Sequence, residues 1–535
     1  MNFSIYYHTL KHLKPIQIRY QLWYRLRRIW RKAIGFKYPL TISKEGKTLQ
    51  FSPWIDKNKS LNENTFTFLN LSKRFEEDKI NWNEVCHGKL WQYNLNYMDY
   101  LLQPNMDQET GLSLINQFIV ALPKNPTATE PYPIALRGIN WIKFLSNHRH
   151  CEDDEGGRSN LIRVNGCLYA QYQILYDNLE YHLLGNHLLE DGFSLLFGAF
   201  YFADEKLYKI ANEILSKELN EQILDDGAHF ELSPMYHQII LDRLLDCINL
   251  VQNNQGFKNQ DKLLEFLRTK AEKMLSWLDN ITFSNGEIPL LNDSAPGIAP
   301  LTKQLKNYAS SLNFKHSTLN FKLGASGYRR FNGTNYECIL DIGPIGPSYQ
   351  PGHAHADTFN FVLNVNNNPL IVDTGISTYE ANKTRLLERG TAAHNTVTAQ
   401  DKNSSEVWSS FRVAHRAKVK ILTDTSKKIV AEHNGFRAAS TIHHREWEFA
   451  DNSILITDTL KGIIIAGKAH FWISPDLNPI HIENTVKVAN TTFTFENAEL
   501  IRLFPTQITN GYNQFSENHK IEITFKNYLK TIITL

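Results

Sequence analysis

The sequence predicts an α+β multidomain chain, with a helical half followed by a strand half. Three observations predict it. Apolar residues recur at helical spacing from about residue 60 to 315. After Ser326 the texture turns to short β-rich runs separated by Asn, Asp, Gly and Lys. The two textures are segregated, whereas a parallel α/β sheet requires them to alternate. A basic arm is expected over residues 1–60, a helical domain over 61–315 and a strand domain over 316–535.

The arm comes first. Residues 1–44 carry ten Lys/Arg and no acid, interleaved with Tyr20, Leu22, Trp23, Tyr24, Leu26, Ile29 and Trp30. The run 15–32 reads as a basic amphipathic helix. Such a helix suits peripheral contact with an anionic membrane or an anionic polymer. The simpler reading packs it along the next domain with its basic face solvated.

In the helical half, the segments 111–121, 133–145, 161–182, 192–202, 205–223, 234–251 and 261–278 each show i, i+3/i+4 apolar spacing. Their short connections imply antiparallel hairpins of neighbouring helices. In the strand half, the runs 337–342, 359–365, 369–372, 394–399, 417–422, 454–457, 470–473, 491–495 and 520–525 alternate with turn residues.

Composition narrows the function. Hydrophobic residues make up 42% and charged residues 21% of the 535, enough for large cores. Lys+Arg 57 against Asp+Glu 55 excludes a globally basic nucleic-acid binder. The 12% aromatic content fits sugar-stacking surfaces, although large cores also consume aromatics. Five scattered Cys with no CxxC pair encode neither a disulfide framework nor a cysteine zinc site. Apolar runs are short, as in Gly462-Ile-Ile-Ile-Ala-Gly467, and no secretory leader is evident. A cytoplasmic or periplasmic location is expected.

Three stretches can carry chemistry. In Asn178-Leu-Glu-Tyr-His-Leu-Leu-Gly-Asn-His-Leu-Leu-Glu-Asp-Gly192 a helix breaks at Gly185 and restarts at Asn186, putting Asn186 and Glu190 one turn apart on one face. Taken alone, Asn186 is more simply a cap. In Phe230-Glu-Leu-Ser-Pro-Met-Tyr-His237, Ser233 is an N-cap, Pro234 the first helical residue, and Tyr236 lies at the positive end of the helix dipole. A phenolate is expected to be stabilised there; the blander reading is a packed, hydrogen-bonded Tyr. In Gly352-His-Ala-His-Ala-Asp357, followed by Asp373 and His394, imidazole and carboxylate groups on separate β-like segments suit zinc or a similar divalent ion on His355, Asp373 and His394. A fourth ligand is not evident.

These stretches, with Glu130-Pro-Tyr-Pro-Ile-Ala-Leu-Arg137-Gly-Ile-Asn-Trp141, resemble in order and separation the heparinase II/III family of polysaccharide lyases. The resemblance implies an incomplete (α/α) toroid followed by an antiparallel β-sandwich domain, with the catalytic groove between them. It implies that Asn186 neutralises a substrate carboxylate, that Tyr236 transfers protons, that His353 is the catalytic histidine, and that one structural divalent ion, zinc by ligand type, sits on His355, Asp373 and His394. The basic arm is more similar to a branch associated with bacterial surface-polysaccharide production than to degradative members.

The implied reaction is β-elimination on a uronate-containing chain: the C5 proton leaves and the C4 substituent is expelled. It requires charge neutralisation at the carboxylate, so Arg137 and His187 are expected to reinforce Asn186 there, and Glu190, one turn from Asn186, is a further expected substrate-binding residue. Tyr236 and His353 share acid and base roles from opposite sides of one sugar. Competing classes are a glycoside hydrolase using two of Glu190, Asp191, Asp225, Asp226 and Glu231, a C5 epimerase, and a non-catalytic polysaccharide-assembly protein.

Overall fold

A computed structural model describes residues 3–76, 79–148, 155–314 and 323–535. The expected domain boundary at 315/316 and Cys151 lie outside the described residues. Among these, the helices are α1 (Phe3–Leu10), α2 (Pro15–Ala33), α3 (Gly88–Tyr97), α4 (Gln108–Ala121), α5 (Pro131–Asn147), α6 (Glu155–Asp177), α7 (Gly185–Phe202), α8 (Glu205–Gln222), α9 (Pro234–Asn253), α10 (Gln260–Ile281), α11 (Thr302–Ser311) and the short α12 (Lys383–Glu388).

The toroid has two layers. Helices α3, α5, α7 and α9 pack in succession as an inner ring, and α4, α6, α8 and α10 lie outside them. Burial follows this layering. In α7 every residue except His187 is buried, whereas α8 buries a single stripe through Leu207, Ala211, Leu215 and Leu219. Residues 61–74 form a three-stranded antiparallel sheet at the start of the toroid, where a helical domain was expected. The alternation Thr65-Phe66-Thr67-Phe68 buries Phe66 and Phe68 against Tyr100 and Trp91 and so prefers a strand.

The second half is antiparallel. A four-stranded sheet (Tyr328–Asn332, Tyr336–Asp341, Phe361–Val365, Asn368–Ile371) faces a large sheet dominated by the long hairpin Thr491–Thr509 and Phe515–Thr534. Cys338, Phe361 and Leu363 of the first sheet share one core with Trp447, Ile456, Phe471 and Ile523 of the second.

The arm touches both halves. In α1, Thr9 accepts a hydrogen bond from Trp408 Nε1 at 3.1 Å. In α2, Arg27 pairs with Asp177 at 3.0 Å, and Gln17 Nε2 donates to Leu183 O at 3.0 Å. The docked face carries Arg27 and Arg31, whereas Arg19, Arg25, Arg28 and Lys32 are solvated as expected; the apolar face is also left exposed, which was not expected. No helix among the described residues is long and apolar enough to cross a membrane.

Candidate active site

Local sequence sets the position of each side chain. Ser233 Oγ accepts from Tyr236 N at 3.2 Å and caps α9, with Pro234 as its first residue, which fixes Tyr236 in the first turn. Just ahead, Leu232 is held at φ 60°, a backbone cost that turns Glu231 inward. Gly185, at φ 62°, opens α7; a Cβ there would lie 3.0 Å from Glu231 Oε1. Asn186 is therefore inside the helix and is not its cap, and its N–H donates to Glu231 Oε1 at 3.3 Å.

A cleft of about 480 Å³ runs between the two halves and is lined by Asn186, His187, Glu190, Tyr236 and His353, together with Arg243, Tyr379 and Arg412. The rings of Tyr236 and His353 stack with centroids 3.8 Å apart and planes 30° apart. They share one wall and do not flank a central space. Tyr236 Oη lies 3.1 Å from Tyr379 Oη.

Behind them Asp293 is the electrostatic hub. Its carboxylate accepts from His353 Nδ1 and His355 Nε2, each at 2.8 Å, and from both terminal nitrogens of Arg385 at 2.5 and 2.7 Å. Burial opposes its ionisation, yet Arg385 and the two imidazoles hold it well below the usual carboxylate range. Accepting from His353 Nδ1–H, Asp293 leaves Nε2 as the lone-pair nitrogen, 3.6 Å from Glu231 Oε2.

The charges differ from expectation in one respect. Burial pushes the Tyr236 phenol above its ordinary value; Asp293 and Glu231 add to the rise, while Tyr379 and Arg385 oppose it. Desolvation and two nearby acids outweigh the helix dipole, so Tyr236 is a neutral phenol. Burial also raises Glu190, to about 7, and Glu231. For His187, burial works against the cation, but Glu180 at 3.0 Å raises it overall.

Arg137 does not reach the cleft. It is fully buried, donates to Gln171 Oε1, Asn96 O and Ala128 O, and is lowered to about 9 by burial. It ties α5 to its neighbours. In its place Arg243 lines the cleft, its Nε 3.6 Å from Glu190 Oε2. Sequence reasoning missed Arg243, Asp293, Arg385 and Tyr379, and no local motif marks them.

The expected metal residues are neighbours without forming a closed site. His355 and His394 have ring centroids 5.2 Å apart, and His394 Nδ1 donates to Asp373 Oδ2 at 2.8 Å. Among the described residues no three such side chains converge as a ready-made metal site. Three buried atoms there have no partner: His355 Nδ1, His394 Nε2 and Asp357 Oδ2. Burial raises Asp341 to about 6 and Asp357 well above the usual range. Two unpartnered imidazole nitrogens among crowded carboxyls are a donor set that fits a divalent cation.

Comparison with known proteins bears on the family and the fold. The family model described as Heparinase II/III N-terminus matches residues 167–318, and that described as Heparinase II/III-like, C-terminal, matches residues 316–527. A heparin-sulfate lyase of Bacteroides stercoris is 27% identical over 328 residues, 55% of this chain and 47% of that protein, so the match spans about half the relative's length. A crystal structure of heparinase III superposes with a TM-score of 0.66 at 18% identity, covering 86% of this chain and 80% of that one. A heparan sulfate lyase HepC from Pedobacter heparinus gives 0.57 at 17%, covering 88% and 81%. These structures share the fold of a helical toroid followed by a β-sandwich.

Proposed function

Because the chain belongs to the heparinase II/III family, we propose that it is a polysaccharide lyase cutting a uronate-containing acidic polysaccharide by β-elimination. One observation carries the reading: Tyr236 from the toroid and His353 from the second half stack at 3.8 Å on the wall of a cleft that Asn186 also lines.

The chemistry follows from the charges. The substrate carboxylate meets the Asn186 amide, His187 and the Arg243 guanidinium, which offset its charge and acidify the C5–H bond. His353 takes the C5 proton on Nε2, since Asp293 holds the proton on Nδ1. The C–H electron pair becomes the C4=C5 double bond as the C4–O bond breaks. Tyr236, kept neutral by burial, gives its phenolic proton to the departing oxygen.

His355, Asp373 and His394 would hold a divalent ion, zinc by ligand type, and Asp357 would be the fourth ligand that the sequence left open. The unpartnered nitrogens of His355 and His394 support this. When bound, the ion ties together the segments around His353 and stabilises them.

The heparin-sulfate and heparan sulfate lyases among the relatives put heparin and heparan sulfate first among substrates to test, and the basic arm adds acidic bacterial surface polysaccharides. Incubation with each, read by the ultraviolet absorbance of an unsaturated uronate, tests the proposal. Rising absorbance on one of them is expected. No absorbance on any uronate polymer would end the reading.

A further inference from the structure

We propose that α2 is a membrane-interface helix that seats the protein on an anionic lipid surface. The argument is independent of the lyase reading. Successive residues of a helix are rotated by about 100°, and this divides α2 into three faces. Gln17, Tyr20, Tyr24, Arg27 and Arg31 form the docked face. Tyr24 Oη donates to Leu179 O, Tyr20 stacks on Tyr181 at 4.7 Å, and Arg31 pairs with Asp177 at 2.6 Å. The helix is therefore fixed to the toroid by one side only.

The second face is apolar and open. Ile18, Leu22, Leu26 and Ile29 follow each other at i, i+4, i+8 and i+11, with Trp23 and Trp30 at the margin. Leu26, Ile29 and Trp30 are 64%, 68% and 59% exposed. Aliphatic residues bordered by tryptophan are what the headgroup boundary of a bilayer receives. An exposed stripe of this length is unusual on a soluble surface without a partner.

The third face decides the partner. Arg25, Arg28 and Lys32 lie side by side along one edge of the apolar stripe, and Arg19 projects within it; all four are exposed. Among the described residues none of them has an acidic partner. With ten Lys/Arg and no acid in residues 1–44, two copies of this arm repel one another, whereas anionic headgroups attract it. The stripe supplies the apolar anchor and the basic edge the charge, the two signals that stable interfacial binding needs.

The test is co-sedimentation of the full chain with vesicles of phosphatidylcholine alone and of phosphatidylcholine mixed with phosphatidylglycerol. The protein should pellet with the mixed vesicles and be released by salt. The triple variant Leu22→Ser, Leu26→Ser, Ile29→Ser should stay in the supernatant with an unchanged melting temperature. The variant Arg25→Gln, Arg28→Gln, Lys32→Gln should weaken partition by about a hundredfold. Wild-type protein that ignores both vesicle types overturns the proposal. So does a self-association that the serine variant abolishes without any vesicle binding, since the stripe is then covered by a second copy.

Discussion

The imidazole of His353 lies against the phenol of Tyr236, centroids 3.8 Å apart, although the two residues are separated by the domain boundary. Each ring thus fixes the other's position, and each is anchored from behind: Tyr236 by the Ser233 cap, His353 by Asp293. The pair presents one proton acceptor and one proton donor to the same cleft.

Tyr236→Phe deletes the hydroxyl and keeps the stack. Steady-state kinetics should show kcat lower by about 10²–10⁴-fold. Denaturant unfolding should show a loss of only about 1 kcal/mol for the bond to Tyr379. A variant with near-normal turnover would contradict the assignment.

Asp293 touches no part of the cleft but orients His353. Asp293→Asn should lower kcat by about 10²–10⁴-fold with little change in KM. It leaves Arg385 buried without its anion, so stability should fall by about 3–5 kcal/mol. A change confined to KM would show that Asp293 acts on binding instead.

Glu190 gives a pH signature. Its carboxyl titrates at about 7 when folded and near its ordinary 4.5 when unfolded. Between these values the folded state holds the extra proton, so its contribution to stability falls as pH rises through that window and stays low above it. Glu190→Gln lacks this titration. Relative to wild type, its stability should rise by up to about 3 kcal/mol across the window, read from urea midpoints at several pH values. A difference independent of pH would show that Glu190 does not titrate there.

The metal proposal predicts bound divalent ion by elemental analysis and a lower melting temperature after chelation. His394→Ala should mimic chelation, and chelator should then have no further effect. Metal-free protein with an unchanged melting temperature in chelator removes the ion from the account.

Much of this was legible in the sequence because it is local. Ser233-Pro234 fixes a helix start, and Tyr236 follows from it by counting. Helical spacing located α4, α5, α8, α9 and α10 to within a few residues; for α7 it found only the stretch from 192, and the break at Gly185 marked the true start. What was not legible depends on distant partners. Asp293 and Arg385 are 92 residues apart and meet only in the folded chain. Arg137 sits in a conspicuous motif, but only the fold shows that its partners are Gln171 and backbone carbonyls. The sign of the Tyr236 shift reversed because burial and neighbouring acids are not readable from helix position. The arm's amphipathicity was plain, yet which side docks depends on Asp177 and Leu183, far along the chain. The alternating phenylalanines 66 and 68 did carry a strand signal, which the helical texture around them masked.

The measurement that bears most directly on the account is a count of unsaturated uronate ends, by ultraviolet absorbance, against new reducing ends in the same digest of an acidic polysaccharide. Elimination predicts one unsaturated end for every reducing end, and Tyr236→Phe should lose both together. Reducing ends that accumulate without ultraviolet absorbance would mean hydrolysis and contradict the account.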